Sequence, residues 1–332
     1  MFATKEATAR YVERFPKFRD AAFYRSVRDL EVSSLGIGTY LGAPDDEADR
    51  QYTDALLAAA EGGVNFFDCA INYRHQRSER AIGKALQQLV RDEIVVCTKA
   101  GFLTPGAVPP WLDQADVAGG IHSMAPRFLE DQIEHSRANM GVDTIDVFYL
   151  HNPETQLRFC RREEFDARIR QAFAQLERLV ERQLIRWYGA ATWDGFRKKD
   201  ALNLSRLVEL AEQEGGPEHH FRFIQLPFNL SMVEAFVDRP ENVLETAARL
   251  SIAVVASATL MQTRVLANMP DAVYQAFPGL ATDAQRAIQF TRSTPGISVA
   301  LVGMSRREHV LQNLGIALVP PAARQHYLRL YQ

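Results

Sequence analysis

Residues 145–151 read Ile-Asp-Val-Phe-Tyr-Leu-His and residues 185–191 read Ile-Arg-Trp-Tyr-Gly-Ala-Ala. Between them, residues 164–183 set Phe165, Ile169, Ala172, Leu176, Leu179 and Val180 along one stripe. The two flanking runs are short, rich in β-branched and aromatic residues, and continuous rather than alternating, as expected of strands covered on both faces. The stripe has the i, i+4, i+7, i+11 spacing of an amphipathic helix. The unit is therefore strand–helix–strand, and a helical crossover of that kind makes its two strands parallel.

The same grammar extends in both directions. Strand-like runs stand at residues 35–40, 64–69 and 94–99 upstream, and at 221–227, 252–257 and 297–303 downstream, eight in all. Residues 46–61 form a helical pattern that stops at Gly62, which is expected at the C′ position. Residues 127–140 form another that stops at Gly141. Thr282 with Gln285, and Ser305 with Glu308, have the spacing of capping boxes. An open doubly wound sheet would carry a G-x-G-x-x-G turn after an early strand, but Gly36-Ile37-Gly38 runs into Thr39-Tyr40-Leu41. Eight repeats without that turn predict one closed (β/α)8 TIM barrel over residues 25–332, preceded by an N-terminal extension, residues 1–24.

Composition removes several classes of function. The 38 basic and 41 acidic residues give a net charge of −3, without the basic excess of a nucleic-acid binder. Cys69, Cys97 and Cys160 are odd in number and lack C-x-x-C spacing, so neither a disulfide framework nor a zinc site is expected. The first twenty residues mix Lys, Glu, Arg and Asp, and no apolar run approaches a membrane span. The expectation is a cytoplasmic protein that engages neither membrane nor nucleic acid. Residues 101–126 form a long connection with four prolines and a Gly119-Gly120 pair, and loops of that length tend to carry function.

In barrels the reacting groups stand at the C-terminal ends of strands. Asp68, Lys99 and His151 close the second, third and fourth strand runs, and Tyr73 follows the second. Taken singly, each has an ordinary reading: a turn cap, a solvated cation, a loop histidine, a half-buried aromatic. Together at neighbouring strand ends they suit carbonyl reduction. Hydride delivery leaves charge on oxygen, and a phenol with a pKa near ~10 is a poor acid unless a nearby ammonium favours its phenolate. A carboxylate holds the ammonium in place, and an imidazole N–H polarises the same oxygen.

At these residues the sequence resembles the aldo-keto reductase superfamily. Gly63-Val64-Asn65-Phe66-Phe67-Asp68-Cys69-Ala70-Ile71-Asn72-Tyr73 is similar to the family's G-[IV]-N-x-[FI]-D-T-A-x-x-Y signature. Val95-Val96-Cys97-Thr98-Lys99 and Ile145-Asp146-Val147-Phe148-Tyr149-Leu150-His151 resemble its lysine and histidine strands, and Leu35-Gly36-Ile37-Gly38-Thr39 its first. The resemblance implies a (β/α)8 barrel, a catalytic set of Asp68, Tyr73, Lys99 and His151, and NADPH-dependent reduction of a small aldehyde or ketone. Carried onto this chain, the cofactor positions are Gly38, Thr39, Asp68, Thr192, Gln225, Ser257, Leu260, Gly303, Ser305, Arg306, Arg307 and Asn313.

The cofactor half departs from the family. Where a Ser-Asn pair usually holds the nicotinamide carboxamide, this chain has Ala190-Ala191-Thr192, and Ser257 stands where an aromatic residue usually stacks. A redox-silent nucleotide-binding member of the family is therefore an open alternative. A metal-dependent hydrolase is not, because His151 alone of the eight histidines ends a strand. Ser305 is expected to cap a helix whose N–H groups, with Arg306 and Arg307, would take the 2′-phosphate of NADP. Tyr40, Phe102, Trp111, Trp193 and Phe228 are expected at the mouth, suiting an apolar or aromatic carbonyl.

Overall fold

The computed structural model describes residues 1–198, 201–238 and 240–331. A hairpin, β1 (Tyr24–Val27) and β2 (Leu30–Ser33), precedes eight strands that close into a barrel. These are β3 (Leu35–Gly38), β4 (Phe66–Asp68), β5 (Val95–Ala100), β6 (Ile145–His151), β7 (Ile185–Ala191), β8 (Phe221–Pro227), β9 (Ala253–Ser257) and β10 (Ile297–Gly303). They pair in chain order, all parallel, and β10 returns to β3. The predicted (β/α)8 barrel is thus the observed fold, and β6, β7, β8 and β10 keep the predicted bounds.

The short strands have local causes. β3 stops at Gly38 because the Thr39 hydroxyl turns to donate to the Asp68 carbonyl at 3.1 Å. β4 starts late because Asn65 is spent on the hairpin, accepting from Ser33 N at 2.8 Å and donating to Glu31 O at 2.9 Å.

The barrel interior is filled by inward side chains, among them Phe66, Val95, Cys97, Val147, Tyr149, Phe223, Val255 and Val299. Val27, Leu30 and Val32 of the hairpin and Ala3 join the same cluster, so the N-terminal mouth is plugged. The segment expected as an extension packs under the barrel through helices Lys5–Glu13 and Pro16–Asp20. Tyr11 anchors it by donating to Ala60 O at 2.6 Å. A boundary after residue 24 would cut β1, which begins at Tyr24.

Helix Asp46–Glu61 matches its prediction, but Gly62 is the C-cap at φ −89° and Gly63 takes the left-handed turn at φ +95°. A Cβ on Gly63 would lie 2.8 Å from the Tyr24 hydroxyl, which donates to Gly63 O. Helix Pro126–Met140 ends on Gly141 at φ +65°, as a C-terminal glycine should. The Thr282–Gln285 capping box forms. The Ser305–Glu308 box does not: the helix is Arg307–Asn313 with Arg306 at the N-cap, so Ser305 stands one residue too early to reach the first turn.

Arg292, on helix Asp283–Ser293, is fully buried and bonds only to neutral oxygens: Ser34 Oγ, Gln289 Oε1 and the carbonyls of Ala22, Ile316 and Val319. Burial pulls its guanidinium down to about 9. It ties the hairpin approach and the C-terminal segment to one helix. Arg292→Met is expected to leave several buried carbonyls unpaired, at about 1–3 kcal/mol each. Urea unfolding checks this, and an unchanged midpoint would show that the guanidinium's own desolvation cancels its bonds.

Candidate active site

The parallel register brings Asp68, Lys99 and His151 to one rim. β4 sets Asp68 beside Cys97, β5 sets Lys99 beside Tyr149, and β6 ends at His151 beside Ala191. Lys99 Nζ donates to Asp68 Oδ1 and to Cys69 O, each at 2.6 Å. The ammonium is 1% exposed and lies 5.0 Å from the centre of the Tyr73 ring. Tyr73 turns edge-on to His151, ring centres 5.7 Å apart. All four predicted catalytic residues therefore converge.

Their electrostatics follow from burial. Desolvation alone would lower the Lys99 ammonium, but the Asp68 carboxylate and the Tyr73 phenol carry it above its ordinary value. Burial pushes the Asp68 carboxyl up, opposed by Lys99 and by Gln225, whose Nε2 donates to Asp68 Oδ2 at 2.8 Å. Burial also raises the Tyr73 phenol, with Lys99 pulling it back only in part. The expected lowering of the tyrosine by its lysine is therefore outweighed by desolvation. Burial, Lys99 and His122 push His151 well below the ordinary imidazole value, so its ring is neutral.

The cofactor positions divide. Gly38 and Gly303 are register partners at the ends of β3 and β10, and a Cβ on either would meet nothing closer than 3.8 Å, a ledge free of side chains. Thr192 Oγ1 and Asn313 Oδ1 are buried and have no hydrogen-bond partner among the described residues. Those orphaned acceptors and the bare ledge fit a bound dinucleotide. Thr39 is spent internally, its carbonyl accepting from Ser78 Oγ at 2.6 Å. Ser257 is half-buried at the end of β9, and Leu260 packs on the core. Arg307 turns away, its guanidinium 3.5 Å from Asp54 and 3.2 Å from Glu61 on helix Asp46–Glu61. Arg306 is exposed.

At the mouth, Tyr40 is 58% exposed and edge-on to Tyr73 at 4.8 Å, and Trp193 and Trp111 are also exposed. Phe102 stands edge-on to His151 at 5.3 Å. Phe228, expected among them, is fully buried and stacks on Phe290, because the chain after β8 folds inward over helix Asp283–Ser293. Sequence reading missed Glu154, whose Oε1 accepts the backbone N–H groups of Trp193, Asp194 and Gly195 at 2.9, 3.1 and 3.1 Å and fixes the loop carrying Thr192. The His151-Asn152-Pro153-Glu154 order held the clue, an acid one turn past a strand end. It also missed His122, buried beneath His151.

The C-terminal rim of a parallel barrel thus carries a lysine–carboxylate pair, a tyrosine and a histidine, groups suited to moving a proton. The aldo/keto reductase family profile matches residues 34–275, and the chain belongs to that family. It is 27% identical over 190 residues to the NADH-specific methylglyoxal reductase of Escherichia coli (strain K12), covering 54% of each chain. It is 30% identical over 175 residues to D-threo-aldose 1-dehydrogenase of a Pseudomonas species, covering 48% of this chain and 50% of the relative. The matched region thus spans about half the length of these curated relatives. The crystal structure of an aldo/keto reductase from Klebsiella pneumoniae with NADP and acetate shares the fold at TM-score 0.67 and 22% identity, over 92% of this chain and 95% of that one. Among the described residues, no helix is long and apolar enough to cross a membrane.

Removing the Asp68 charge leaves Lys99 buried without its counter-ion. Asp68→Asn is expected to lower stability by about 3–5 kcal/mol, the usual cost of breaking a desolvated pair. Denaturant titration measures it, and a wild-type midpoint would mean that the carbonyl of Cys69 and the Tyr73 phenol suffice to hold the ammonium.

Proposed function

We propose that this chain reduces an aldehyde or ketone to the alcohol with NADPH, using Tyr73 as the proton donor. The observation that carries the reading is one buried ammonium, Lys99, set between Asp68 and Tyr73, with the Tyr73 ring edge-on to His151. NADPH, when bound, supplies the hydride to the carbonyl carbon. Tyr73 gives its proton to the carbonyl oxygen, and the negative charge left on the phenolate is stabilised by Lys99. That stabilisation matters because the resting phenol is raised by burial, so the lysine offsets the cost of releasing the proton in a dry site. Being neutral, His151 donates a ring N–H to the same oxygen without adding a second cation beside Lys99. Thr192 and Asn313 would hold polar groups of the dinucleotide, and the Gly38–Gly303 ledge would let its backbone-contacting portion approach closely. Tyr40, Phe102, Trp111 and Trp193 favour a carbonyl with an apolar or aromatic body.

Tyr73→Phe is expected to cut turnover about 10²–10⁴-fold while cofactor affinity stays within a few fold. A screen of aldehydes, ketones and quinones with NADPH supplies the assay. A variant keeping more than about a tenth of wild-type turnover would remove Tyr73 from its role, and a wild type inert across the panel would favour the redox-silent reading.

For cofactor choice, Arg306 is exposed three positions after Gly303 and has no ion pair among the described residues, whereas Arg307 must first leave Asp54 and Glu61. NADPH is expected to bind at least about tenfold tighter than NADH, the equivalent of one charged hydrogen bond. Arg306→Ala should erase more of that preference than Arg307→Ala. Fluorescence titration of both cofactors decides it, and equal affinities in the wild type refute the assignment.

A further inference from the structure

We infer that His122, in the middle of the long connection between β5 and β6, is a positioning residue that sets the orientation of His151; the inference rests on the reductase reading above. His122 is fully buried, although it sits 20 residues or more from the strands that carry the chemistry, in a segment of prolines and glycines. Its Nε2 lies 2.8 Å from the carbonyl oxygen of His151, and its Nδ1 lies 3.2 Å from Gln156 Nε2. An amide NH₂ donates, so Nδ1 accepts and Nε2 carries the hydrogen given to His151. The amide cannot turn over freely, because Arg168 Nη1 donates to Gln156 Oε1 at 2.8 Å. Arg168, Gln156 and His122 thus form one directed chain of donors ending on the His151 backbone.

The surroundings fit that purpose. A Cβ on Gly101 would lie 2.5 Å from His122 Nε2 and 2.8 Å from His151 O, so only glycine lets this bond form. Phe102 stands edge-on to both rings, 5.2 Å from His122 and 5.3 Å from His151. Ser123 N donates to Gly101 O at 2.8 Å and the His122 main chain pairs with Phe102 and Ala118, which closes the loop on itself around the histidine. The His151 side chain has no such hydrogen bond at Nδ1, which is buried without a partner among the described residues. Its ring is therefore oriented by the backbone, by Phe102 and by the edge-on Tyr73, and the first two of these touch His122.

The test replaces His122 with Phe, which keeps a ring and removes the donor, and with Gln, whose Nε2 can still reach His151 O. Turnover, KM, NADPH affinity and the ring ¹⁵N resonances of His151 in the cofactor-free full chain are measured for each. His122→Phe is expected to shift the His151 ring signals and lower kcat about ten- to a hundredfold, as small misplacements of catalytic groups do. NADPH affinity should stay within about twofold, and His122→Gln should recover most of the loss. A purely structural role would instead depress both variants alike. If His122→Phe does not fold, Gln156→Leu serves, since it frees Nδ1 and should move the same resonances with a several-fold loss of kcat. Unmoved His151 resonances in whichever variant folds overturn the inference, even if turnover is normal. Moved resonances in a protein inert toward every carbonyl would instead count against the reductase reading and leave the positioning role intact.

Discussion

The charge on Lys99 is the constraint around which the upper half of the barrel is arranged. An ammonium that is 1% exposed must be matched in place, because water cannot reach it. Asp68 supplies the opposite charge, the Cys69 carbonyl a second acceptor and Tyr73 the face of a ring. Gln225 then takes up the remaining oxygen of Asp68 from across the barrel. The same dryness that makes the pair costly gives it leverage, since a buried ammonium acts on a phenolate far more strongly than a solvated one.

The barrel's two ends are built for different purposes. At the N-terminal end the hairpin and the first helices seal the interior with aliphatic side chains, and the buried Arg292 ties that cover to the C-terminal segment through neutral oxygens. At the C-terminal end the backbone is bent to serve side chains. Arg74, His75 and Gln76 after Tyr73, and Asn152 after His151, all adopt left-handed conformations without being glycine. So do Ala258, Met261, Gln262 and Thr263 after β9. Such residues cost of order 1–3 kcal/mol each and persist where surrounding contacts over-determine them. Ala22 and Arg28 beside the hairpin, and Gln183 and Ser251 before β7 and β9, adopt the same conformation at the other end, so the left-handed residues are not confined to the rim.

Two loops are latched onto that rim by polar side chains, one half-buried and one fully buried. Glu154 gathers three consecutive N–H groups of the segment after β7, and His122 reaches from the β5–β6 connection to the end of β6. Both latches join elements that are adjacent around the barrel, the β5–β6 connection to the end of β6 and the segment after β6 to that after β7. The cofactor side is held less tightly. It offers a glycine ledge and unpartnered acceptors, and its helix Arg307–Asn313 begins without a side-chain cap.

The sequence by itself determined the architecture and which polar residues meet at one rim. Eight continuous apolar runs separated by amphipathic stripes leave a closed parallel barrel as the arrangement that covers every strand, and a polar residue ending such a run must emerge at the rim. Asp68, Lys99 and His151 were legible for that reason, and Tyr73 by its spacing from Asp68. Tertiary structure alone decided what lies between elements distant in the chain. Whether a loop histidine faces solvent or His151 depends on how residues 101–126 fold back, and no local periodicity encodes that return. Arg307 pairs with Asp54 and Glu61, which lie some 250 positions away in the chain and which no local pattern announces. Ser305 was misread because the helix starts one residue later than its spacing to Glu308 implied, once Met304 is buried and Asn313 donates to its sulfur. Periodicity reports which face of an element is buried, but the partner that a polar group finds is set by packing.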